Sequence, residues 1–324
     1  MGSAAAPQLA IPFREDRVLD FFKFIAERHI MFVRRFIYRD PPPWTQDPVL
    51  ASTFTTNVYR ELDRGTRYLI CHILPHASAA PQDTVWNVLV YRTFNLPATY
   101  ELLGGFQAVA RWNPSWVTLE LERRSAAGLP VFTGAYRVSQ RGYPEGWTKI
   151  QIVVDRLTRI HAILPALFSR LRAAPSLAQA HRLVTELPGF GEFGAYEIVS
   201  DLVYHPALLP FSEDDFVNVG PGAEAALRQM LVEPNPTLFV RAVHDLRWRQ
   251  AEWFRAAGTV LSGPVLTLRN IEHSLCEVQK VWSARQSGRK KRTFTPNEDL
   301  SLWEDDLPPE FQRRRFPIRK PGQT

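Results

Sequence analysis

Cysteine is scarce in this chain, and its scarcity excludes several classes of protein. Cys71 and Cys276 are the only two cysteines among 324 residues. They are too few for an iron–sulfur or disulfide framework, and no cysteine and histidine pattern has the spacing of zinc ligands. We therefore expect a reducing compartment, with no metal and no cofactor.

Two nucleotide-binding patterns are also absent from the sequence. It contains no Gly-x-x-x-x-Gly-Lys-Ser/Thr loop, which excludes a P-loop kinase or ATPase, and no glycine fingerprint for a dinucleotide. Long apolar runs are missing as well, so no segment is predicted to span a membrane. The N-terminus has no charged leader followed by an apolar stretch, and secretion is not expected.

What the chain does contain is an excess of positive charge. Its net charge is +6, its isoelectric point is near 9.5, and 45% of its residues are hydrophobic, which is ample for a core. This balance favours an acidic partner such as DNA or RNA. The alternative is a basic tail on a neutral enzyme, because 288–292 (GRKKR) and 313–315 lie near the C-terminus. The GRKKR cluster predicts a nuclear location in a eukaryote, and the cytoplasm otherwise.

Apolar periodicity predicts an all-α protein with one helical domain over 15–286. Residues 1–14 are predicted to form a flexible arm, and 287–324 an extended or disordered tail that is basic and rich in proline. Over 131–139 the pattern does not decide between a strand and a helix. The main predicted helices span 17–38, 57–70, 86–94, 102–110, 116–126, 150–172, 177–187, 195–202, 221–231, 236–257 and 270–285.

The most informative segment is 187–195, with the sequence Leu-Pro-Gly-Phe-Gly-Glu-Phe-Gly-Ala. It joins two apolar helical patterns within 177–203. Gly189 and Gly191 tolerate a tight turn, and backbone N–H groups at the start of the second helix suit an anion such as a phosphate. The segment is similar to the helix-hairpin-helix of DNA-repair glycosylases, which makes Gly189, Gly191 and Gly194 candidates for contact with the DNA backbone. The alternative is a turn without a ligand.

A helix over 57–70 would place Arg60, Asp63 and Arg64 on one face, at positions i, i+3 and i+4. Two arginines with a carboxylate could grip a polyphosphate through paired hydrogen bonds. The alternative is an exposed face of ion pairs that binds no ligand.

Arg92 directly follows the apolar run Val88-Leu89-Val90, so we expect it beside buried surface. A buried arginine usually has a carboxylate or phosphate partner. Contact with a substrate phosphate and a structural salt bridge to Asp47 or Asp63 are equal alternatives at this point.

The loop before 220 contains the candidate catalytic carboxylate. In the helix-hairpin-helix glycosylases an aspartate follows the hairpin and opens a helix, and here Asp215 follows Gly191 by 24 positions. Such a carboxylate would stabilise a cationic transition state or accept a proton. Asp214 is the competing residue, and an N-cap or a surface loop is the alternative. Residues 220–222, Gly-Pro-Gly, could form a second anion-binding nest at a helix start.

On the helix predicted over 270–285, His273, Glu277 and Lys280 project together, while apolar residues on another face meet the core. A buried acid–base set is one interpretation of this face. An ordinary exposed amphipathic surface is the other, and the spacing alone favours it.

These segments together resemble the α-glutamyl/putrescinyl thymine pyrophosphorylase family, whose all-helical domain is also found in 5-hydroxymethyl-deoxyuridine DNA kinases. The resemblance covers about 20–285, with its pieces in the family's order. Those pieces are 34–35, 43–50, 57–64, 91–95, the hairpin, 220–223 and 272–277. The resemblance implies a fold related to the helix-hairpin-helix DNA glycosylases.

The function that the resemblance implies is hypermodification of a base in DNA. A transferase of this family would act on a thymine-like base, turned out of the stack, whose 5-hydroxymethyl group carries a pyrophosphate. A small amine or amino acid would displace that pyrophosphate, and a separate kinase would supply the phosphorylated base. The alternatives are a DNA glycosylase that removes a modified pyrimidine and a DNA-binding relative without catalysis. Phe193 stands where bifunctional glycosylases place a lysine, which excludes a Schiff-base step there.

Candidate roles follow from this chemistry. The candidate catalytic carboxylates beside the developing positive charge are Asp215, Asp63 and Glu277. The candidates for binding the substrate and its departing diphosphate are Tyr59, Arg60, Arg64, Arg92, Asn95 and Lys280. A ring stacked on the base would come from Tyr59 or Phe94.

Overall fold

The computed structural model describes residues 11–133, 138–289, 293–294 and 307–312. Within these ranges every regular element is a helix, accompanied by two isolated β-bridges, so the all-α prediction is confirmed. The α-helices are, in chain order, α1 (Glu15–Phe32), α2 (Pro48–Ser52), α3 (Arg64–His72), α4 (Pro81–Phe94), α5 (Pro97–Leu102), α6 (Pro114–Ala126), α7 (Lys149–Arg172), α8 (Leu177–Thr185), α9 (Glu192–Leu202), α10 (Pro221–Met230), α11 (Phe239–Trp248), α12 (Gln250–Ala256) and α13 (Leu268–Ser287).

Two compact units make up the described chain. The first unit contains the described residues up to Leu62 and those from Val219 onward. The second unit, Asp63–Asn218, lies between these two parts in the sequence. The first unit therefore includes α1, α2 and α10 to α13, and the second includes α3 to α9.

The first unit is organised around α13, which packs along α10 and also contacts α1 and α11. Its start is held by a capping box, because the Thr267 hydroxyl accepts from Asn270 N while the Asn270 side chain accepts from Thr267 N. Its end is Gly288, whose φ of 65° is the left-handed conformation that commonly stops a helix. Leu275 and Val278 of α13 are fully buried, which fixes the face that its polar residues present.

The second unit is built on α4, which contacts both α7 and α9. Nearly every residue of α4 from Thr84 to Phe94 is buried, so this helix is buried on all sides and not only along one stripe. The long helix α7 begins with a capping box between Thr148 and Gln151 and also packs against α6 and α8. Helix α8 packs closely against α9, and we call these two helices with the glycine turn between them the hairpin.

The prediction of one continuous helix over 57–70 was wrong. A short 3₁₀ turn at Arg60–Leu62 precedes α3, and Asp63 flanks the start of α3 instead of lying within a helix. The Asn57 side chain donates to the Leu62 carbonyl at 2.7 Å and so competes with helical hydrogen bonding in this stretch. Arg60, Asp63 and Arg64 consequently do not share the face of one helix.

The prediction of a helix over 102–110 was also wrong, and the helix predicted over 236–257 is divided into shorter elements. Helix α5 ends at Leu102, where Gly104 and Gly105 follow with φ of 94° and 64°. These left-handed residues interrupt a helix. The second stretch is a 3₁₀ turn at Pro236–Leu238 followed by α11 and α12, which meet at Arg249.

Parts of the predicted arm and tail are packed on the first unit. Phe13 forms an antiparallel bridge with Leu231, and Thr293 forms one with Thr53. Phe311, in the turn Pro309–Phe311, is only 1% exposed. These parts are therefore not free of the fold, while 1–10, 290–292, 295–306 and 313–324 lie outside the described residues, and so does 134–137 of the undecided segment. Its described residues, 131–133 and 138–139, form no regular element.

Candidate active site and nucleic-acid interface

A buried acid–base cluster lies on α13 in the first unit. Glu277 is 4% exposed. Its Oε1 accepts from Lys280 Nζ at 2.5 Å, and its Oε2 accepts from Thr56 N at 3.0 Å. His273 Nε2 shares a hydrogen bond of 2.7 Å with Thr56 Oγ1. We name these four residues the Glu277 cluster. The exposed-surface interpretation of this face was wrong, because its central carboxylate is buried.

The partners of Glu277 explain why a carboxylate tolerates this position. A buried charge is costly unless an opposite charge and hydrogen bonds compensate it, and Lys280 and the Thr56 amide supply both. Since His273 reaches the hydroxyl of the same threonine, an imidazole, an ammonium and a carboxylate converge on a single segment. Groups of these three kinds can hold and transfer protons.

A second buried carboxylate, Glu272, lies on the same helix. It is 6% exposed, and it accepts from Arg269 Nη1 at 2.7 Å and from Gly220 N at 3.3 Å. Gly220 precedes α10 and has no side-chain cap. The helix start that was predicted as a second anion nest therefore faces a carboxylate of the protein itself. A Cβ on Gly222 would overlap Cys276 Sγ, so this glycine permits close packing of α10 on α13.

Cys276 lies between the two buried carboxylates in the sequence of α13. Burial, followed by the charge of Glu277, raises the pKa of its thiol to about 11. The thiol is therefore protonated near neutral pH, when it is a poor nucleophile and a poor metal ligand. Among the described residues, no group of three or more His, Cys, Asp or Glu side chains is placed to hold a metal ion.

Two further candidates of the first unit are buried. Tyr59 is 1% exposed, and its hydroxyl donates to the Pro264 carbonyl at 2.6 Å. Its ring lies against Phe311 and His29, with centroids 4.8 Å and 5.0 Å away. A base cannot stack on this ring while Phe311 covers it. Arg60 is also 1% exposed, so it does not belong to an exposed face of ion pairs.

Arg92 of α4 is the centre of a buried network in the second unit. Its guanidinium donates to both carboxylate oxygens of Asp201, at 2.5 Å and 2.8 Å, and also to Thr66 Oγ1 and Asn95 Oδ1, each at 2.9 Å. The ion pair joins α4 to α9. The predicted structural salt bridge of Arg92 had Asp47 or Asp63 as its partner. The observed partner, Asp201, was not predicted. The signal available for it was an acid within the largely apolar helix α9, a property that Glu197 shares.

Asp63 and Arg64 lie at the start of α3, where Asp63 is half-buried and Arg64 is exposed. The predicted site residues are thus distributed over both units. Those in the first unit are Tyr59, Arg60, Glu277 and Lys280, and those in the second are Asp63, Arg64, Arg92, Asn95, Gly189, Gly191, Gly194 and Asp215.

Of the two glycines predicted to make the tight turn, one has a left-handed backbone and the other does not. Gly189 has a φ of 89°, and a Cβ there would lie 2.7 Å from Arg156 Cδ. Gly191 flanks the start of α9 without a side-chain cap, and a Cβ there would meet nothing within 4 Å. The Ala195 amide makes the first bond of the helix, to the Gly191 carbonyl at 2.8 Å. The preceding amides at the start of α9 are the ones that a helix leaves for other acceptors.

Gly194 has a different part in the hairpin. A Cβ at this position would lie 3.2 Å from Phe190 Cδ1. Phe190 is buried, so Gly194 allows the hairpin turn to fold back on its own second helix. The spacing of three glycines did not distinguish this packing position from the two exposed ones.

The loop that contains Glu213, Asp214 and Asp215, here called the acidic loop, lies against the hairpin. Phe216 packs on His181 of α8 and on Tyr196 of α9, with centroids 5.1 Å and 5.9 Å away. Asp215 is exposed, and its carboxylate accepts from Ser212 N at 2.7 Å. It closes a turn of the loop and does not open a helix, because α10 begins only at Pro221.

A surface cavity of about 1050 Å³ lies in the second unit, near the start of α7. Phe132, Thr148 and Lys149 are part of its lining. None of the predicted site residues is among its described lining residues.

The fold and these sites define an all-helical protein with a glycine hairpin in one unit and a buried acid–base cluster in the other. The family described as "5-hmdU DNA kinase, helical domain" matches residues 15–290, and the chain belongs to this family. The resemblance to the group that shares this helical domain is therefore confirmed.

A curated relative of similar sequence is a 5-hmdU DNA kinase from Bacillus phage SP10. It is 28% identical over 320 residues, a match that covers 89% of this chain and 48% of the relative. The chain thus spans about half the length of that protein. No solved structure matches the chain. In the part of the chain that is described, no helix is both long enough and apolar enough to cross a membrane.

Proposed function

We propose that this chain modifies a base in DNA, displacing pyrophosphate from a phosphorylated 5-hydroxymethylpyrimidine with an amine. The Glu277 cluster is the observation that carries the proposal. It combines a buried carboxylate, an ammonium and an imidazole in a chain without a P-loop. The relative from phage SP10 is named a 5-hmdU DNA kinase, and phosphorylation of the hydroxymethyl group is the reaction that would prepare such a substrate. We assign the preparative step to a kinase and the displacement to the helical fold.

The chemistry needs one carbon–oxygen bond to break and one carbon–nitrogen bond to form. As pyrophosphate departs with the bonding electrons, the 5-methylene carbon becomes cation-like and is conjugated with the pyrimidine. Glu277 would stabilise that positive charge, and it or His273 would accept the proton that the amine loses. Lys280 would neutralise the departing diphosphate. Water has to be kept from the cation, which the burial of Glu277 favours.

Glu277 is preferred over Asp215 as the catalytic carboxylate for a physical reason. A buried carboxylate acts through a low local dielectric, whereas the exposed Asp215 is screened by water and holds a turn. Arg92 is better suited to positioning α9 than to binding a phosphate, because Asp201, Thr66 and Asn95 accept its hydrogen bonds. Contact with the DNA backbone is proposed for Gly189 and Gly191 of the hairpin.

The test compares E277Q with D215N on DNA that carries a pyrophosphorylated 5-hydroxymethyl base. With a mixture of amines, the unsubstituted chain should release pyrophosphate and yield a heavier nucleoside. E277Q should lower the turnover rate by at least about a hundredfold and leave DNA affinity unchanged, because the amide keeps the shape and loses the charge. D215N should retain most of the rate. Loss of turnover in D215N alone would transfer the catalytic role to the acidic loop.

A DNA glycosylase is the second candidate, favoured by the packing of the acidic loop on the hairpin through Phe216. The same incubation distinguishes it, because a glycosylase yields a free base and an abasic site instead of pyrophosphate. Salt-sensitive binding without either product would identify a DNA-binding protein without catalysis.

A further inference from the structure

Arg156 of α7 lies directly beside the hairpin turn. Its Cδ, Nη1 and Nε come within 2.7, 3.0 and 3.2 Å of the point where a Cβ of Gly189 would be. The absence of a side chain at Gly189 thus leaves room for this arginine. A cation is thereby placed next to the segment whose backbone amides lead into α9.

The guanidinium of Arg156 is held in place without a carboxylate. Its Nη2 donates to the Ser139 carbonyl at 2.6 Å, and its Cζ lies 5.2 Å from the centre of the Tyr143 ring. Within the described ranges no acidic side chain forms an ion pair with it, so its positive charge is not neutralised by a neighbour. An arginine held on a ring and a carbonyl is already oriented, and less entropy is lost when it binds a ligand.

A second arginine and a second ring extend this surface. Arg159 Cζ lies 5.9 Å from the Tyr143 ring centre, and its side chain is 63% exposed while paired with Asp155. Trp147 packs beside Tyr143, with centroids 5.6 Å apart. We name Tyr143, Trp147, Arg156, Arg159 and Gly189 the Arg156 surface.

The acidic groups near this surface, Asp155, Glu192 and Glu145, equal its nearby cations in number, but among the described residues none of them pairs with Arg156. Asp155 offsets Arg159 but not Arg156. Glu192, in the first turn of α9, lies with its carboxylate 3.6 Å from His181 Nε2. Glu145 is exposed in the same loop as Tyr143 and Trp147. Lys149, the first residue of α7, is a further exposed cation.

Basic groups interleaved with aromatic rings suit a nucleic-acid strand, because the cations meet phosphates and the rings meet bases. We propose that the Arg156 surface binds the backbone of a DNA strand. Arg156 contacts the phosphate that faces the hairpin amides, Arg159 contacts the neighbouring phosphate, and Trp147 stacks on an unpaired base. This binding role rests on the proposed function only for the identity of the ligand as DNA.

The experiment measures binding of the full chain to a fluorescein-labelled single-stranded oligonucleotide by fluorescence anisotropy, at several salt concentrations. R156A should weaken binding roughly tenfold, and the slope of log affinity against log salt should become shallower by about 0.7 for each phosphate that the variant no longer neutralises. R159A should have a smaller effect in the same direction. E145Q should strengthen binding, since it removes a negative charge from the surface.

The matched control is R123A. Arg123 is 65% exposed on α6 of the same unit and is paired with Glu120, so its loss removes an equal charge from outside the Arg156 surface. Equal affinities of R156A and R123A would overturn the proposal, and so would an unchanged salt slope in R156A. If R156A were to unfold, R159A and E145Q would still test the surface. The proposal then requires R159A to bind DNA more weakly and E145Q to bind it more tightly than the unsubstituted chain.

This binding test is independent of the proposed chemistry. Reduced binding by R156A together with no release of pyrophosphate by the unsubstituted chain would support the surface and contradict the proposed reaction. Turnover by the unsubstituted chain, with R156A and R123A binding DNA equally, would leave the reaction in place and remove the surface.

Discussion

His29 demonstrates how burial alone changes the chemistry of a side chain. It is 1% exposed on α1, its Nε2 is hydrogen-bonded to the Ser262 carbonyl at 2.9 Å, and its Nδ1 has no partner among the described residues. Burial, with a smaller contribution from the nearby Arg28 charge, lowers the pKa of His29 to about 4, although the Ser262 carbonyl opposes the shift. The imidazole is therefore neutral in the folded protein across the physiological range.

This neutral imidazole predicts a loss of stability in acid. The unfolded chain binds a proton at His29 near pH 6.5 and the folded chain only near pH 4, so the free energy of unfolding falls as pH decreases between these values. At pH 4.5 the loss from this group is roughly 2 to 3 kcal/mol. Urea unfolding at pH 7.5 and pH 4.5 measures it.

The comparison is with H29Q, which cannot take up the proton. Its decrease in unfolding free energy between the two pH values should be smaller than that of the unsubstituted chain by roughly 2 kcal/mol. The carboxylates titrate in both chains and cancel in the difference. Equal decreases would show that His29 does not stay neutral when folded.

At the scale of the element, the two glycines of the hairpin turn have different structural roles. Gly189 has a left-handed backbone and Arg156 beside it, whereas Gly191 has a φ of −91° that any residue adopts. The first glycine is therefore required for folding of the turn. The second is required only if a ligand must approach the backbone at the start of α9.

G189A should lower the free energy of unfolding by more than about 1 kcal/mol, because alanine adds both backbone strain and a contact with Arg156. G191A should change it by no more than about 0.5 kcal/mol, since its methyl group meets nothing in the protein. Urea unfolding measures both variants.

DNA binding gives the complementary readout for this pair. G191A should bind DNA more weakly while remaining folded, because its methyl group lies where a phosphate would approach. Full DNA affinity in G191A would mean that the start of α9 is not a phosphate site. Equal stability of G189A and G191A would contradict the strain assigned to the turn.

At the scale of the whole molecule, the C-terminal part of the chain contributes to the first unit. The ring of Phe311 is buried against Tyr59 and His29, and Phe294 N donates to the Ser52 carbonyl at 3.0 Å. Residues that follow α13 in the sequence thus pack against residues of α1 and of the segment after it. The described parts of this region therefore belong to the folded first unit.

F311A should lower the free energy of unfolding by roughly 3 kcal/mol, the usual cost of removing a buried aromatic ring. The control is W248A, because Trp248 lies in the same unit and is 67% exposed. We expect it to change stability by less than about 0.5 kcal/mol. Guanidinium unfolding followed by circular dichroism measures both, and equal stability of the two variants would contradict the buried position of Phe311.

Local patterns predicted much of the fold. The helices around Phe21 and Phe22, along α7 and across the hairpin follow from apolar spacing, which depends only on neighbours in the chain. The break between the turn at Arg60–Leu62 and α3 was not predictable in the same way, because it accompanies a side-chain hydrogen bond from Asn57 to Leu62. Helical propensity does not include this competition between a side chain and the backbone for hydrogen bonds.

By itself, the amino-acid sequence determined that the protein is helical, that a glycine-containing turn joins two of its helices, and to which family it belongs. All three depend on residue type and on short spacing. Only the tertiary structure decided which charges are buried: that Glu277 is buried against Thr56, and that Arg92 meets Asp201. These partners are brought together by the packing of segments distant in sequence, since the free energy of a charge depends on the groups that replace its water.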